Sequence, residues 1–143
     1  MARRNQLGIT FMSVLRLDHY NLRADSVLIE RLRIFYCDVV GLELGFRPPL
    51  KSMGYWLYAG EKDVLHLSQA TPNEIRKSYD GQSTFDHIAF SCSDLKSVEF
   101  QLQDKDIHYK RSDVPQSGAV QLFFNDPAGN KIELNFAPQH VSH

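Results

Sequence analysis

The spacing of apolar residues changes period several times along the chain, and each change marks an element. Residues 14–22 alternate between apolar and polar, as a strand covered on one face does. The period then lengthens: Leu28, Leu32, Phe35 and Val39 fall at helical spacing, behind Asp25 or Ser26 as a cap. Gly41 suits the stop that follows. LELGFR (42–47), YWLYA (55–59) and VLHLS (64–68) read as three strands, with turns at Pro48-Pro49 and Gly60-Glu61-Lys62-Asp63. The stretch 70–84, ATPNEIRKSYDGQST, is polar and turn-rich, a linker with one helical turn after Pro72.

Beyond the linker the series recurs. FDHIAFS is a strand, and Asp94 can cap a helix carrying Leu95, Val98 and Leu102. DIHYKR, AVQLFF and KIELNF are three more strands, the last two joined by the turn NDPAGN. The chain therefore reads as α+β, two tandem βαβββ modules at 14–69 and 85–136, with tails at 1–13 and 137–143.

An internal duplication, when missed, mis-assigns a whole fold. Here His19 and His87 are 68 residues apart, and VLHLSQ overlays KIELNF at an offset of 67. YWLYAGEKDVLHL lies over LFFNDPAGNKIEL at that same offset, with a glycine in both turns. The duplication makes His19 and His87 equivalent, and likewise His66 and Glu133.

In a strand, alternate side chains share a face. Leu17, His19 and Asn21 go together, as do Val64, His66 and Ser68, and Lys131, Glu133 and Asn135. Ile132, Leu134 and Phe136 point the other way, toward a helix-covered core, which places His66 and Glu133 on the wetter face. If each module curls into a half-barrel, His19, His66, His87 and Glu133 converge. Three imidazoles and a carboxylate are a suitable ligand set for a divalent transition metal. A lone strand histidine is usually a packed or rim residue and a lone strand glutamate usually solvated. The matched placement in both modules argues for the metal. His66 can alternatively be a hydrogen-bonding or acid–base group next to it.

Composition narrows the setting. The chain of 143 residues is 43% hydrophobic and 23% charged, as a globular domain is. Its net charge of −1 supplies no bulk attraction for nucleic acid or an anionic membrane. The basic start MARRN is not followed by a long apolar run, and no run approaches the roughly 20 residues that cross a bilayer. Translation from Met1 or Met12 and a cytoplasmic location are expected. Cys37 and Cys92 form no C-x-x-C pair or His-Cys zinc spacing and read as reduced core thiols.

Four segments carry a family resemblance. FFNDPAGNKIELNF is similar to the aromatic–D-P-x-G-x-x-[IL]-E ending of the vicinal oxygen chelate superfamily, also called the glyoxalase/bleomycin-resistance/dioxygenase fold. LDHYNL and FDHIAF resemble its strand openings, and FYCDVVGLEL its helix-to-strand passage. The resemblance covers residues 14–136. It implies curved mixed sheets forming a cup with helices outside, often completed across a homodimer. It also implies one divalent metal ion (Zn, Ni, Co, Mn or Fe) on His19, His66, His87 and Glu133. Glu133 and His66 would be the catalytic pair.

The implied function is a metal-dependent, glyoxalase-like lyase or isomerase that chelates a small oxygenated metabolite or thiol conjugate. Glyoxalase I normally has a glutamate where His66 stands, so its two-glutamate proton relay does not carry over. Three alternatives stay open. His19, His87 and Glu133 also match the two-histidine, one-carboxylate set of Fe(II) extradiol dioxygenases. The same trio suits Mn(II) fosfomycin-type thiol transferases, which usually extend further than the ten residues that follow Glu133 here. The third is a metal-free binding protein of the bleomycin-sequestering kind, a group that usually lacks the ligand set. Trp56, Tyr58, Arg111 and Phe123 are candidate substrate contacts, with ordinary packing or solvation the competing reading for each. His108, His140 and His143 have no repeat counterpart and read as surface residues.

Overall fold

The computed structural model describes residues 3–4, 10–11, 13–74 and 84–141. The first module runs β1 (Tyr20–Ala24), α1 (Ser26–Phe35), β2 (Glu43–Gly45), β3 (Gly54–Ala59) and β4 (Lys62–Gln69). The second runs β5 (His87–Cys92), α2 (Leu95–Asp104), β6 (Lys110–Asp113), β7 (Val120–Asn125) and β8 (Lys131–Phe136). Each module is a four-stranded sheet with the same order, β1-β4-β3-β2 and β5-β8-β7-β6. First and last strands pair in parallel and the other pairs are antiparallel. The fold is thus α+β with two βαβββ modules. Within the N-terminal tail, Arg3–Arg4 pairs antiparallel with Thr10–Phe11.

Local chemistry sets the boundaries. Of the two candidate caps of α1, Asp25 makes the bond, its Oδ1 accepting from the Leu28 N–H at 2.9 Å. Asp94 does the same for α2, accepting from the Ser97 N–H at 3.2 Å and the Ser97 hydroxyl at 2.7 Å. Helix α1 widens into a π turn over Tyr36–Val40. It stops where Gly41 takes φ 94° and the amides of Gly41 and Leu42 both bond to the Tyr36 carbonyl.

Two expected strands begin late. Residues 13–19 are irregular, and Val14, Leu15 and Leu17 are exposed. The parallel ladder opens only at Tyr20–Leu65, because β4 bulges at the preceding residue, Val64. DIHYKR becomes strand only from Lys110 because a Schellman cap occupies its start. Asp106 takes φ 55°, its N–H bonds to the Gln103 carbonyl, and the Ile107 N–H bonds to the Leu102 carbonyl. A 3-10 turn at Pro138–His140 follows β8. Of the expected linker, Thr71–Glu74 forms a turn, while 75–83 lie outside the described residues, as do Met1, Met12 and His143.

Alternation sends Leu57, Leu65 and Leu67 of the first sheet, and Leu122, Ile132, Leu134 and Phe136 of the second, into one shared core. Ile29 and Leu32 of α1 and Leu95 and Leu102 of α2 complete it. Each such fully buried side chain contributes about 1.5–3 kcal/mol. Phe35 meets Phe124 at 6.1 Å between ring centres, and Tyr20 meets Phe90 at 6.4 Å, so the modules pack on each other. No helix among the described residues is long and apolar enough to cross a membrane.

Candidate functional site

The sheet registers reproduce the duplication in three dimensions. Asn21 of β1 is in register with His66 of β4, and Ala89 of β5 with Glu133 of β8. His19 and His87 each stand two residues ahead of those partners, His19 just before its strand and His87 as the first residue of its own. In both modules, a first-strand histidine therefore lies diagonally across from the last-strand position that the repeat singles out.

In the second module that diagonal is a polar contact. His87 Nε2 lies 2.8 Å from Glu133 Oε2. Glu133 is only 5% exposed, so the face expected to be wet is covered at this residue. Its neighbours on the same sheet face do the covering. Gln121 Nε2 donates to Oε1 at 2.8 Å and Asn135 Nδ2 donates to it at 3.0 Å, so the buried carboxylate is satisfied by hydrogen bonds. Phe123, in register with Glu133, meets the His87 ring edge-on at 5.9 Å. The other imidazole nitrogen, Nδ1, lies 2.7 Å from Asp86 Oδ2, and Lys131 Nζ reaches the same carboxylate oxygen at 2.7 Å.

In the first module the diagonal is a stack. The His19 and His66 rings lie 3.7 Å apart with planes 17° from parallel. Trp56 lies 4.0 Å from His66 on a plane 6° away. His19 repeats the pattern of His87, its Nδ1 lying 2.7 Å from Asp18 Oδ1. His66 differs: its Nε2 lies 2.6 Å from Asp63 Oδ2. Lys62 joins the two carboxylates, 3.2 Å from Asp63 and 3.3 Å from Asp18.

Asp63 and His66 are three residues apart, a separation that puts side chains on opposite faces of a regular strand. The bulge removes that obstacle. Leu57 pairs with Leu65 but Tyr58 pairs with Asp63, leaving Val64 as an extra residue and turning Asp63 onto the face of His66. Simple alternation does not reveal Asp63, and nothing in the sequence marks the bulge. Gln121 was equally missed, although it shares strand parity with Phe123. The repeated Asp-His dipeptides at 18–19 and 86–87 were legible as they stand.

The three aspartates are held as anions. The His66 contact, and then Lys62, bring the Asp63 carboxyl down to about 2. Lys131 and then His87 lower Asp86, and His19 and then Lys62 lower Asp18.

The remaining candidates scatter. Tyr58 lies on the face of Trp56, with its hydroxyl donating to the Phe46 carbonyl at 2.6 Å and its ring over Gly45. Arg111 is in register with core-facing Leu122 and pairs with Glu99 of α2 at 3.1 Å, so it stands on the helix side, away from His87 and Glu133. His108 and His140 are exposed.

Among the described residues, no three His, Cys, Asp or Glu side chains converge to hold a metal ion. The structure instead brings the expected donors together as two pairs, His87 with Glu133 and His19 with His66. The donor chemistry of imidazole nitrogen and carboxylate oxygen fits a divalent transition metal. In one chain the two pairs stay separate.

A family model described as Glyoxalase/Bleomycin resistance protein/Dioxygenase superfamily matches residues 16–134. No curated protein sequence matches the chain. Among solved structures, lactoylglutathione lyase from Agrobacterium tumefaciens is similar at 21% identity and a TM-score of 0.62, covering 90% of this chain and 98% of its own. A glyoxalase family protein from Bacillus anthracis has 19% identity and a TM-score of 0.67, covering 89% and 98%. TnmS3, an antibiotic binding protein from Streptomyces sp. CB03234, has 18% identity and a TM-score of 0.62, covering 89% and 99%. At such identities the likeness is one of fold.

Proposed function

The chain belongs to the Glyoxalase/Bleomycin resistance protein/Dioxygenase superfamily, and from that premise we propose that it is a metal-dependent lyase or isomerase of the glyoxalase kind. Its substrate would be a small oxygenated metabolite or thiol conjugate. The observation that carries the reading is His87 Nε2 set against the buried, hydrogen-bonded carboxylate of Glu133. A strand-face glutamate without a role is usually solvated, whereas this one is buried and faces an imidazole.

His19, His87 and Glu133 would hold the ion, with His66 next to it. A bound divalent ion supplies Lewis acidity toward adjacent substrate oxygens. Glu133 takes a proton from the carbon next to a substrate carbonyl and returns it, a general-base role that requires its orientation to be fixed. Gln121 and Asn135 fix it, and Phe123 shields the His87 side of the pair. Function is a property of the site rather than of the fold.

The two half-sites would be closed by a second copy of the chain. Leu17 and Phe85, each two residues before a site histidine, are 76% and 62% exposed, and Phe46 and Met53 are exposed as well. Exposed apolar side chains in matching places beside both half-sites suit a homodimer contact.

A second reading, a small-molecule binding protein without a metal, draws on the flat ring surface of Trp56, His66 and His19 and on the fold likeness to TnmS3. Metal analysis of protein purified without chelators separates the two. Stoichiometric divalent metal, or its uptake on titration with Zn(II), supports the enzyme. No metal in either experiment would leave the binding protein as the better reading, while bound iron with oxygen-dependent catechol cleavage would move the assignment to a dioxygenase.

A further inference from the structure

We propose that His66 stands beside the metal rather than in its ligand shell, held by Asp63 as a positioning residue and offering Nδ1 to a hydroxyl or thiol hydrogen of the substrate. The proposal deepens the metal-centre reading and rests on it.

Three observations carry it. The first is which nitrogen is committed. His19 and His87, equivalent in the duplication, both turn Nδ1 to the preceding aspartate at 2.7 Å, and His87 Nε2 faces Glu133. His66 has the opposite arrangement, with Nε2 at 2.6 Å from Asp63. An ionised carboxylate only accepts, so Nε2 carries a proton, and in the neutral imidazole Nδ1 is then left with a lone pair. Nδ1 has no hydrogen-bond partner among the described residues.

The second is ring geometry. A ligand nitrogen presents its lone pair in the plane of its ring, and the ion sits about 2.0–2.1 Å along it. The His19 and His66 planes are 17° from parallel with centres 3.7 Å apart. An ion in the plane of one ring therefore lies out of the plane of the other. One ion cannot take both, and Trp56 on the far side of His66, 6° from parallel, holds the ring in that plane.

The third is the bulge. Without the extra residue at Val64, Asp63 would face the core side of β4 and could not reach His66. Bulges recur next to functional sites, where they re-aim one side chain. Here the re-aimed side chain is a carboxylate that fixes one tautomer of one imidazole. A lone-pair acceptor next to a Lewis-acidic ion selects substrates carrying an O–H or S–H hydrogen next to the chelated oxygen.

Co(II) titration of the full chain tests the ligand assignment. His66→Phe keeps a stacking ring without its nitrogens, and His66→Ala covers the case in which the larger ring is not accommodated. Both should bind Co(II) within twofold of wild type with an unchanged visible spectrum, whereas His87→Ala should lose binding. A tenfold or greater loss of affinity in both His66 variants would overturn the assignment while leaving the metal centre in place. A wild-type chain that takes up no Co(II) would overturn the metal centre and this assignment with it. Nitrogen-15 NMR of the metal-free protein tests Asp63 separately. His66 should appear as the Nε2–H tautomer and become a tautomer mixture in Asp63→Asn; an Nδ1–H tautomer in the wild type would overturn the positioning role.

Discussion

The Tyr36 hydroxyl donates to Asp126 Oδ2 across 2.7 Å, joining the π turn of the first module to the β7–β8 turn of the second. Asp126 also organises its own turn, with Oδ1 accepting from the Ala128 and Asn130 amides and Oδ2 from the Asn130 side chain, each at 2.9 Å. Burial pushes the Tyr36 phenol well above its usual range, so it remains a donor. The bond links FYCDVVGL and NDPAGN, two of the segments that carry the family resemblance.

Tyr36→Phe should therefore cost about 1 kcal/mol, the lower end for a buried acceptor that loses one of several donors. Asp126→Ala should cost more, because three further donors lose their acceptor. Urea denaturation measures both, and the double variant should be less destabilised than the sum of the singles. Additive losses would mean that the two residues act independently.

Asp86 is expected to matter for metal rather than for folding. It lies 67% exposed on the surface yet holds His87 Nδ1, leaving Nε2 toward Glu133. Removing a group that orients a metal-binding histidine typically weakens affinity about 10- to 100-fold. Asp86→Ala should fall toward the lower end, since water can replace an exposed acceptor, with a melting temperature close to that of the wild type. Zn(II) titration by calorimetry measures the affinity; unchanged affinity would remove Asp86 from the site.

Acid should weaken the Asp63 contact with a defined sign. Its carboxyl titrates near 2 in the folded chain against 3.8 for an unperturbed aspartate. A lowered folded value adds stability above the unfolded value and loses it as pH falls toward the folded one. The stability difference between wild type and Asp63→Asn should shrink between about 4 and 2 as the carboxyl protonates. Denaturant unfolding across that range reads it, and a difference that persists unchanged from about pH 4 to 2 would contradict the contact.

The sequence by itself determined the repeat, the element types and the four candidate positions. His19, His66, His87 and Glu133 were found because period-two alternation and a 67- to 68-residue offset are both properties of the linear chain. The family ending at Asp126–Glu133 was equally legible, because its turn and strand are local. Boundaries failed where a local rule met a competing one. Asp106 reads as strand in the linear pattern but caps a helix, and residues 14–19 alternate without a strand to pair with.

Only the tertiary structure decided which nitrogen each histidine commits, and to what. A bulge belongs to a pair of strands, so its effect on Asp63 appears only when β3 lies beside β4. The burial of Glu133 likewise depends on Gln121, twelve residues earlier and one strand away. Arg111 illustrates the reverse: its place on the helix side follows from its register with Leu122, which the linear pattern of β6 does not specify. Alternation tells which residues share a face; register and packing determine what that face touches.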